Sequence, residues 1–303
     1  MSKKKLLITG SNGFVAGSIM AQATANYEVH GIARAEMKSN HSSVTHHACD
    51  LTDATTFEKI FHSIQPDAVI HAAALANIDF CQNNQDAAKK VNVEVTRTVA
   101  QLCQLSGAKL VFCSTDTVFD GIKGDYVEED APNPVNFYAE TKVQAEQIVL
   151  NASAKNVVAR LALVIGLPVS GKGNSFLIDL ITKLTKYEKV NYPENEIRTP
   201  IDVITLGASL IELSENDFHG IIHLSGNTKI NRLHMANYVA DTLQFSETTK
   251  SLILGTNSNA IAGRAKRPND ASMINGKAKK VLRTPMLSLE EGLALTLNKK
   301  FEN

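Results

Sequence analysis

The feature that most constrains the fold is a regular alternation of short apolar runs with longer amphipathic segments over the first 165 residues. Five runs enriched in Val and Ile predict β-strands: KLLIT, YEVHGI, SVTHHA, DAVIHAA and AKLVFCS. The clearest helical pattern lies between the last two, at residues 84–106. Its apolar side chains recur at helical spacing: Val91, Val95, Val99, Leu102 and Leu105. Alternating strands and helices predict an α/β fold, a doubly wound parallel sheet covered by helices on both faces.

The second half of the chain is less regular. NSFLIDLITKLTKY, INRLHMANYVADTL and SLEEGLALTL predict helices, GIIHLSG predicts a strand, and EKVNYPENEIRTPIDV predicts an irregular segment. We therefore predict two parts: a domain over residues 1–165, and a smaller C-terminal lobe over residues 166–303 that is interleaved with the first.

Composition excludes several classes of function. The chain has 31 basic and 31 acidic residues, so it predicts neither a nucleic-acid binder nor a membrane-surface binder. The first apolar run stops at Thr9, and we expect no signal peptide. Four cysteines without a CxxC pair predict reduced, buried thiols and a cytoplasmic location. His46 and His47 are adjacent and would point to opposite faces of a strand, so we predict no metal site.

A glycine cluster follows the first predicted strand in LLITGSNGFVAG. Gly10 and Gly13 stand between this strand and a helix, with Ala16 at the third small position. Such a turn lets backbone N–H groups approach a pyrophosphate at a helix N-terminus, where the helix dipole favours negative charge. A plain turn is the alternative, but the order of strand, turn and helix favours a Rossmann-type dinucleotide-binding domain.

The end of the second strand predicts which dinucleotide is bound. Sites that prefer NAD place an acidic residue there to bind the ribose 2′-hydroxyl. VHGIARAE instead offers Arg34, whose guanidinium suits a 2′-phosphate. We predict NADP(H) as the cofactor, while the nearby Glu36 leaves NAD(H) open.

STDTVFDG and the later YAETK supply a candidate reaction site. Ser114 and Thr115 end a buried strand, and that end of a parallel sheet faces the ligand crevice. Tyr138 and Lys142 are four residues apart, so they share a helix face. A Lys ammonium near a phenol would lower the pKa of the phenol and make Tyr138 a usable general acid. An ordinary exposed helix face is the alternative, and Asp116 could be catalytic or could cap the loop.

Four motifs in this order resemble the extended short-chain dehydrogenases/reductases: TGSNGFVAG, CDLTD, HAAA and YAETK. The resemblance covers the whole chain. It implies that Thr115 takes the catalytic hydroxyl role, with Tyr138 and Lys142 as the other catalytic residues. It implies cofactor contacts at Gly10, Asn12, Gly13, Phe14, Val15, Arg34, Asp50, Leu51, Ala72, Ala73, Ala74, Tyr138 and Lys142.

Within that family the chain most resembles the dTDP-4-dehydrorhamnose reductases, which reduce a keto group on a nucleotide-linked deoxysugar. The aromatic residues typical of their substrate side are replaced by Leu75, Thr117 and Leu163. RTPIDV and RPND resemble substrate-lobe segments, whose Arg198 and Arg267 could bind a diphosphate or form structural ion pairs.

These observations predict an NADPH-dependent reductase of a carbonyl on a nucleotide-activated sugar. We expect Ser114, Thr117, Arg198 and Arg267 to bind the substrate, residues 1–165 to bind the cofactor and the lobe to hold the sugar. The partner is a small molecule rather than a nucleic acid or a membrane, and a homodimer is left open. A non-catalytic NADP-binding regulatory subunit and a sugar-nucleotide epimerase or dehydratase are the alternatives, although Asp116 lacks the second acid that dehydratases of this family carry.

Overall fold

The computed structural model describes residues 3–35, 43–169 and 175–298. In the first half the elements are β1 (Lys4–Thr9), α1 (Phe14–Ala23), β2 (Tyr27–Ala33), β3 (Val44–Ala48), α2 (Ala54–Ile64), β4 (Ala68–His71), α3 (Ile78–Asn83), α4 (Gln85–Lys89), α5 (Val95–Ser106), β5 (Lys109–Thr115) and α6 (Phe137–Ala152). In the second half they are β6 (Val157–Leu161), β7 (Val164–Ile165), α7 (Phe176–Thr185), β8 (Val190–Pro193), β9 (Ile197–Arg198), β10 (Ile201–Asp202), α8 (Val203–Glu215), β11 (Gly220–Leu224), β12 (Ile230–Asn231), α9 (Arg232–Thr242), α10 (Glu247–Lys250), β13 (Ile253–Thr256), α11 (Gly276–Val281) and α12 (Leu289–Asn298).

A seven-stranded sheet forms the centre of the fold. Its strand order is β11-β6-β5-β4-β1-β2-β3, and all neighbours are parallel. Two buried apolar clusters pack against it, one involving α1 and α8 and the other α2, α5 and α6. The predicted Rossmann-type fold, and the strands predicted in its first half, are confirmed. The carboxyl ends of the parallel strands meet at one edge, where such sheets bind their ligands.

The long helix predicted at residues 84–106 is interrupted. A five-residue π-helix, Lys90–Glu94, separates α4 from α5. Asn92 lies in this segment and is buried, with its amide turned towards the loop after β4 rather than to solvent. The π-turn therefore places a polar side chain against the loop after β4, and single-turn π-helices occur frequently at functional sites.

The C-terminal half contributes to the central layers as well as to its own lobe. β11 pairs with β6, and α8 packs against α1, where the Ser18 hydroxyl donates to the Val203 carbonyl at 2.9 Å. α8 was absent from the sequence-based expectation, and the segment predicted to be irregular holds β8, β9 and β10. A separate apolar cluster involves α7, α9, β8 and β13. The boundary near residue 165 stays a prediction.

Two further observations concern the chain as a whole. All four cysteines are free and buried, so none is paired in a disulfide. Across the described ranges, no helix is both long enough and apolar enough to cross a membrane.

Candidate active site

The glycine turn after β1 lies against the loop that follows β4. Gly10 has φ +72°, and a Cβ atom at this position would lie 2.8 Å from the Cα atom of Ala73. The Gly13 amide donates to the Gly10 carbonyl at 2.8 Å and closes the turn. Gly13 is the N-cap of α1 and brings no side chain to it, so the first amide groups of the helix stay open to an anion.

A buried chain of hydrogen bonds holds this loop in place. The Ala73 amide donates to Thr9 Oγ1 at 3.2 Å, and Thr9 Oγ1 lies 2.6 Å from His71 Nδ1. His71 Nε2 lies 3.1 Å from Thr96 Oγ1, whose proton goes to the Asn92 carbonyl. The network requires Nε2 to carry the proton, because Thr96 can only accept. Burial lowers the pKa of His71 to about 3, which keeps the ring neutral.

The glycine turn opens into a cavity of about 400 Å³. Its lining includes most of the predicted cofactor residues: Gly10, Asn12, Gly13, Arg34, Asp50, Leu51, Ala72, Ala73 and Ala74. Phe14 lies outside the lining of this cavity and of the next one, while Val15 lines the next. The amides of a helix N-terminus, a close backbone approach and a cation at the end of β2 together fit a dinucleotide phosphate.

Arg34 and Asp50 form the polar rim of this cavity. Arg34 is exposed. Asp50 accepts hydrogen bonds from the amide and the hydroxyl of Thr52, both at 2.9 Å, and these bonds lower the pKa of its carboxyl group. Asp50 is thus fixed as a carboxylate beside Arg34. Glu36, which kept NAD(H) open, lies outside the described residues.

A second cavity of about 400 Å³ shares Ala72 and Ala74 with the first. Thr115, Tyr138 and Lys142 all line it, so the three predicted catalytic residues meet in one space. Tyr138 and Lys142 lie one turn apart on α6, which begins where the Asn136 side chain accepts from the Ala139 amide at 3.0 Å.

The electrostatics of this pair differ from expectation. The Lys142 ammonium donates to the Cys113 carbonyl at 2.7 Å and lies 4.0 Å from the centre of the Phe112 ring. Burial lowers the pKa of Lys142 to about 8. Burial, followed by the charge of Asp116, raises the pKa of Tyr138 above its ordinary value, while a hydrogen bond with Thr115 opposes that shift. The expected lowering of the Tyr138 pKa is wrong for this structure, because desolvation and Asp116 outweigh every stabilisation of the phenolate.

Thr115 and Asp116 form a compact polar group next to Tyr138 in the cavity wall. Thr115 Oγ1 accepts from the Thr117 amide at 3.2 Å and so caps the short 3₁₀ turn that follows β5. The same hydroxyl lies 3.1 Å from Thr117 Oγ1 and 3.3 Å from Asp116 Oδ1. Asp116 is buried, and its Oδ2 lies 3.4 Å from Arg198 Nε. Asp116 therefore pairs with an arginine, and Thr115 rather than Asp116 supplies the cap.

Ser114 borders the cavity, but its hydroxyl is engaged elsewhere. It donates to Glu146 Oε1 at 2.5 Å, and Glu146 forms a buried ion pair with Arg160, with Nη2 and Oε2 at 2.9 Å. Both charged side chains are at most 4% exposed. In this arrangement the Ser114 hydroxyl donates to the ion pair, and a contact between Ser114 and the substrate stays a prediction.

Arg198 and Arg267 line the cavity and are also bound internally. Arg198 donates to the carbonyls of Ile197 at 2.7 Å and Pro268 at 3.0 Å. Arg267 forms a two-pronged pair with Asp79, at 2.9 and 2.8 Å. The sequence left two roles open for these arginines, a diphosphate contact and a structural ion pair. In the structure both form ion pairs, Arg198 with Asp116 and Arg267 with Asp79.

Sequence reasoning missed four residues of this region. Arg232, Arg264 and Glu196 line the same cavity. Asn92 accepts from the Leu75 amide at 2.8 Å and donates to Thr141 Oγ1 at 3.0 Å, so it links the loop after β4 to the helix that carries Tyr138. Asn92 is a single amide on a predicted helix and gave no signal. Glu196 and Arg264 come from segments without a regular pattern, and Arg232 lies in a predicted helix whose apolar pattern marks no ligand site.

A glycine turn opening a doubly wound sheet, joined to a buried Thr, Tyr and Lys set, defines an extended short-chain dehydrogenase/reductase. This class comprises NAD(P)-dependent oxidoreductases and binds a nicotinamide cofactor. The chain belongs to the family described as RmlD substrate binding domain, which matches residues 4–301.

The chain is similar to curated proteins that carry two different names. "Methionine adenosyltransferase 2 subunit beta" of Bos taurus is 27% identical over 276 residues, covering 89% of this chain and 80% of that protein. "dTDP-4-dehydrorhamnose reductase" of Sinorhizobium fredii is 26% identical over 243 residues, covering 78% of this chain and 77% of that protein.

Solved structures show the same fold. A dTDP-4-dehydrorhamnose reductase from Bacillus anthracis in complex with NADP has a TM-score of 0.85 at 24% identity, covering 97% of this chain and 99% of its own. A hypothetical dTDP-4-dehydrorhamnose reductase from Sulfolobus tokodaii has a TM-score of 0.81 at 28% identity, covering 95% and 99%.

Proposed function

We propose that the protein is an NADPH-dependent reductase of a carbonyl group on a nucleotide-activated sugar. One observation carries this proposal: the cavity lined by Thr115, Tyr138 and Lys142 borders the glycine-turn cavity, and Ala72 and Ala74 line both. A cofactor held at the glycine turn would therefore extend towards the three polar side chains. The relatives and solved structures named as dTDP-4-dehydrorhamnose reductases support the same chemistry.

The side chains suit reduction rather than oxidation. NADPH supplies the hydride when bound. Thr115 and Tyr138 would donate hydrogen bonds to the carbonyl oxygen and orient it. A phenol whose pKa lies at or above its ordinary value is protonated at neutral pH, so Tyr138 carries a proton that it can give to the oxygen as negative charge develops there. Lys142, in its charged form, would bind the ribose and help to stabilise the resulting phenolate.

We also propose that the sugar differs from dTDP-4-dehydrorhamnose. Thr117 and Leu163 line the reaction cavity, and Leu75 lines the cofactor cavity, at the three places where the resembled reductases carry aromatic residues. Aliphatic and hydroxyl side chains offer a sugar ring less stacking surface than Tyr or Trp.

The test is NADPH oxidation by the full chain with a panel of dTDP- and UDP-linked 4-keto sugars, with NADH in parallel. The proposal predicts turnover of at least one member, and lower efficiency on dTDP-4-dehydrorhamnose than an authentic reductase shows in the same assay. Efficiency equal to that enzyme's would overturn the assignment of a different sugar. The absence of turnover with every member, despite NADPH binding, would overturn the assignment of reductase activity.

A non-catalytic subunit is the second candidate. The match to relatives named methionine adenosyltransferase 2 subunit beta favours it, since their name makes them subunits of another enzyme. This candidate predicts that the protein binds NADPH tightly and that no keto sugar oxidises the bound NADPH. It also predicts association with a methionine adenosyltransferase catalytic subunit in size-exclusion chromatography. Sugar turnover without such association would contradict it. A homodimer also stays a prediction, which the same chromatography measures.

A further inference from the structure

We propose that Thr117 is a positioning residue, whose hydroxyl donates to Thr115 Oγ1 and thereby leaves the Thr115 proton for the substrate carbonyl. This inference rests on the proposed function, since it says how Thr115 becomes a donor to the carbonyl oxygen. It gives the Thr117 side chain a task within the protein, at a position where the resembled reductases carry an aromatic residue.

The turn after β5 brings the two side chains together. Thr115 ends β5, and its side chain caps the 3₁₀ turn Asp116–Val118 by accepting from the Thr117 amide at 3.2 Å. The same turn sets Thr117 Oγ1 at 3.1 Å from Thr115 Oγ1. Both threonines are buried and line the reaction cavity. The amide and the hydroxyl of one residue therefore lie within hydrogen-bond distance of a single oxygen atom.

The hydrogen-bond capacity of Thr115 decides the direction of the contact between the two hydroxyls. A threonine hydroxyl has one proton and can accept two hydrogen bonds. The Thr117 amide fills one accepting position, because an amide N–H can only donate. The Thr115 proton has a carboxylate acceptor, Asp116 Oδ1, at 3.3 Å, and an ionised acceptor forms a stronger hydrogen bond than a hydroxyl does. Thr117 is then the donor to Thr115.

The substrate complex requires the same direction. Thr115 and Tyr138 would each send their single proton to the carbonyl oxygen, so neither can donate to the other in that complex. The hydrogen bond that joins them in the free protein is then lost. Thr117 stays in place to fill the second accepting position of Thr115. A hydroxyl that accepts two hydrogen bonds is a better donor, because hydrogen bonds in a chain polarise one another.

Asp116 holds the Thr115 proton weakly enough to release it. Their distance of 3.3 Å is long for an O–H donor. The carboxylate also faces Arg198, whose Nε lies 3.4 Å from Asp116 Oδ2 on the side away from this contact. The Thr115 proton can therefore turn from Asp116 to a carbonyl oxygen while Thr117 keeps its place.

Nearly isosteric substitutions test the proposal kinetically. Thr117→Val removes the hydroxyl but keeps the amide and almost the same volume, and Thr117→Ser keeps the hydroxyl. The assay is single-turnover oxidation of bound NADPH by the dTDP- and UDP-linked 4-keto sugars of the panel. Thr296→Val is the matched control, because the Thr296 hydroxyl is also buried but lies outside the lining of the reaction cavity.

We expect the rate of Thr117→Val to fall about three- to tenfold, the usual net contribution of one hydrogen bond. Thr117→Ser should recover most of the rate, and Thr296→Val should keep it. The Kd for NADPH and the unfolding temperature should stay near wild type in each variant. In a Thr115→Val background, Thr117→Val should cost nothing further, because the oxygen that accepts its proton is already gone.

Three kinetic outcomes would overturn the assignment. An unchanged or faster rate in Thr117→Val would mean that Thr115 donates to Thr117 and is freed by its removal. A further loss of the same size in the Thr115→Val background would show that Thr117 acts independently of Thr115. An equal loss in Thr296→Val would show a general effect of removing a buried hydroxyl.

Neutron diffraction from crystals of the deuterium-exchanged full chain tests the direction of the contact without turnover. The proposal predicts a deuterium on Thr117 Oγ1 that points at Thr115 Oγ1, and a deuterium on Thr115 Oγ1 that points at Thr117 would refute it. If every keto sugar of the panel is inactive, the reductase fails, and the neutron map alone decides whether Thr117 orients Thr115. If a sugar is reduced but the map shows the opposite direction, the positioning role fails while the reductase stands.

Discussion

Replacing Arg34 with Ala is expected to weaken NADPH binding and to spare NADH. Arg34 is exposed at the cofactor cavity, and Asp50, the one carboxylate that lines this cavity among the described residues, is already held by two hydrogen bonds from Thr52. The guanidinium is therefore available to the 2′-phosphate that distinguishes NADPH from NADH. In the described part of the chain, no acidic group at the end of β2 replaces it as an acceptor for a ribose hydroxyl.

The size of the expected loss in NADPH affinity follows from the exposure of Arg34. Two unit charges 4 Å apart attract by about 1 kcal/mol in bulk water and about 4 kcal/mol at an effective dielectric constant of 20. An exposed Arg34 belongs between these limits, so we expect an increase of about ten- to a hundredfold in the Kd for NADPH. Because exposed charges are screened, the ratio of the two Kd values should shrink between about 50 mM and 500 mM salt.

The fluorescence of the reduced nicotinamide measures both affinities directly, since the chain contains no Trp to interfere. Arg97→Ala serves as the matched control, an arginine outside the lining of the cofactor cavity. Equal losses for NADPH and NADH in Arg34→Ala, or a selectivity for NADPH that survives the change, would refute the assignment of Arg34.

Three further predictions concern the groups around Tyr138. Arg160→Met leaves the Glu146 carboxylate buried and unpaired, so the free energy of unfolding should fall by about 3–5 kcal/mol, measured by thermal unfolding. The double variant Arg160→Met/Glu146→Leu should recover most of this stability, and an equal fall in both variants would contradict the prediction. The affinity for NADPH should fall as pH rises through about 8, because Lys142 is cationic only below its pKa, and Lys142→Met should abolish that dependence. Asn92→Ala should lower turnover and the unfolding temperature together, since it removes the bonds to Leu75 and Thr141, whereas loss of stability alone would show a purely structural role.

The first half of the fold was predictable because its strands are short, rich in Val and Ile, and separated by turn residues. α8 was not predictable in the same way. Ten of its thirteen residues are buried, and the polar Thr205, Ser209, Glu212 and Ser214 are among them, so polar side chains do not mark a separate solvent face. The two-residue strands β9 and β12 are too short to leave any periodic signal.

The candidate site, like the fold, was predictable from the sequence only in part. The motifs placed Thr115, Tyr138 and Lys142 in one cavity, because strand ends and helix spacing are local properties. The direction of the Lys142 ammonium, the charge of Asp116 beside Tyr138 and the pairing of Arg267 with Asp79 depend on contacts distant in sequence. The pKa of Tyr138 was therefore predicted in the wrong direction, while the protonated phenol that results still suits a reductase.

The most direct test of the proposed function compares wild type with Tyr138→Phe in single-turnover oxidation of NADPH by a keto sugar that the panel identifies. Only one hydroxyl is removed, so the fold and the Kd for NADPH should be unchanged. The rate should fall by roughly 10²- to 10⁴-fold, the usual contribution of a positioned general acid. A Tyr138→Phe rate within about threefold of wild type would contradict the assignment of Tyr138 and place the proton donor elsewhere in the cavity.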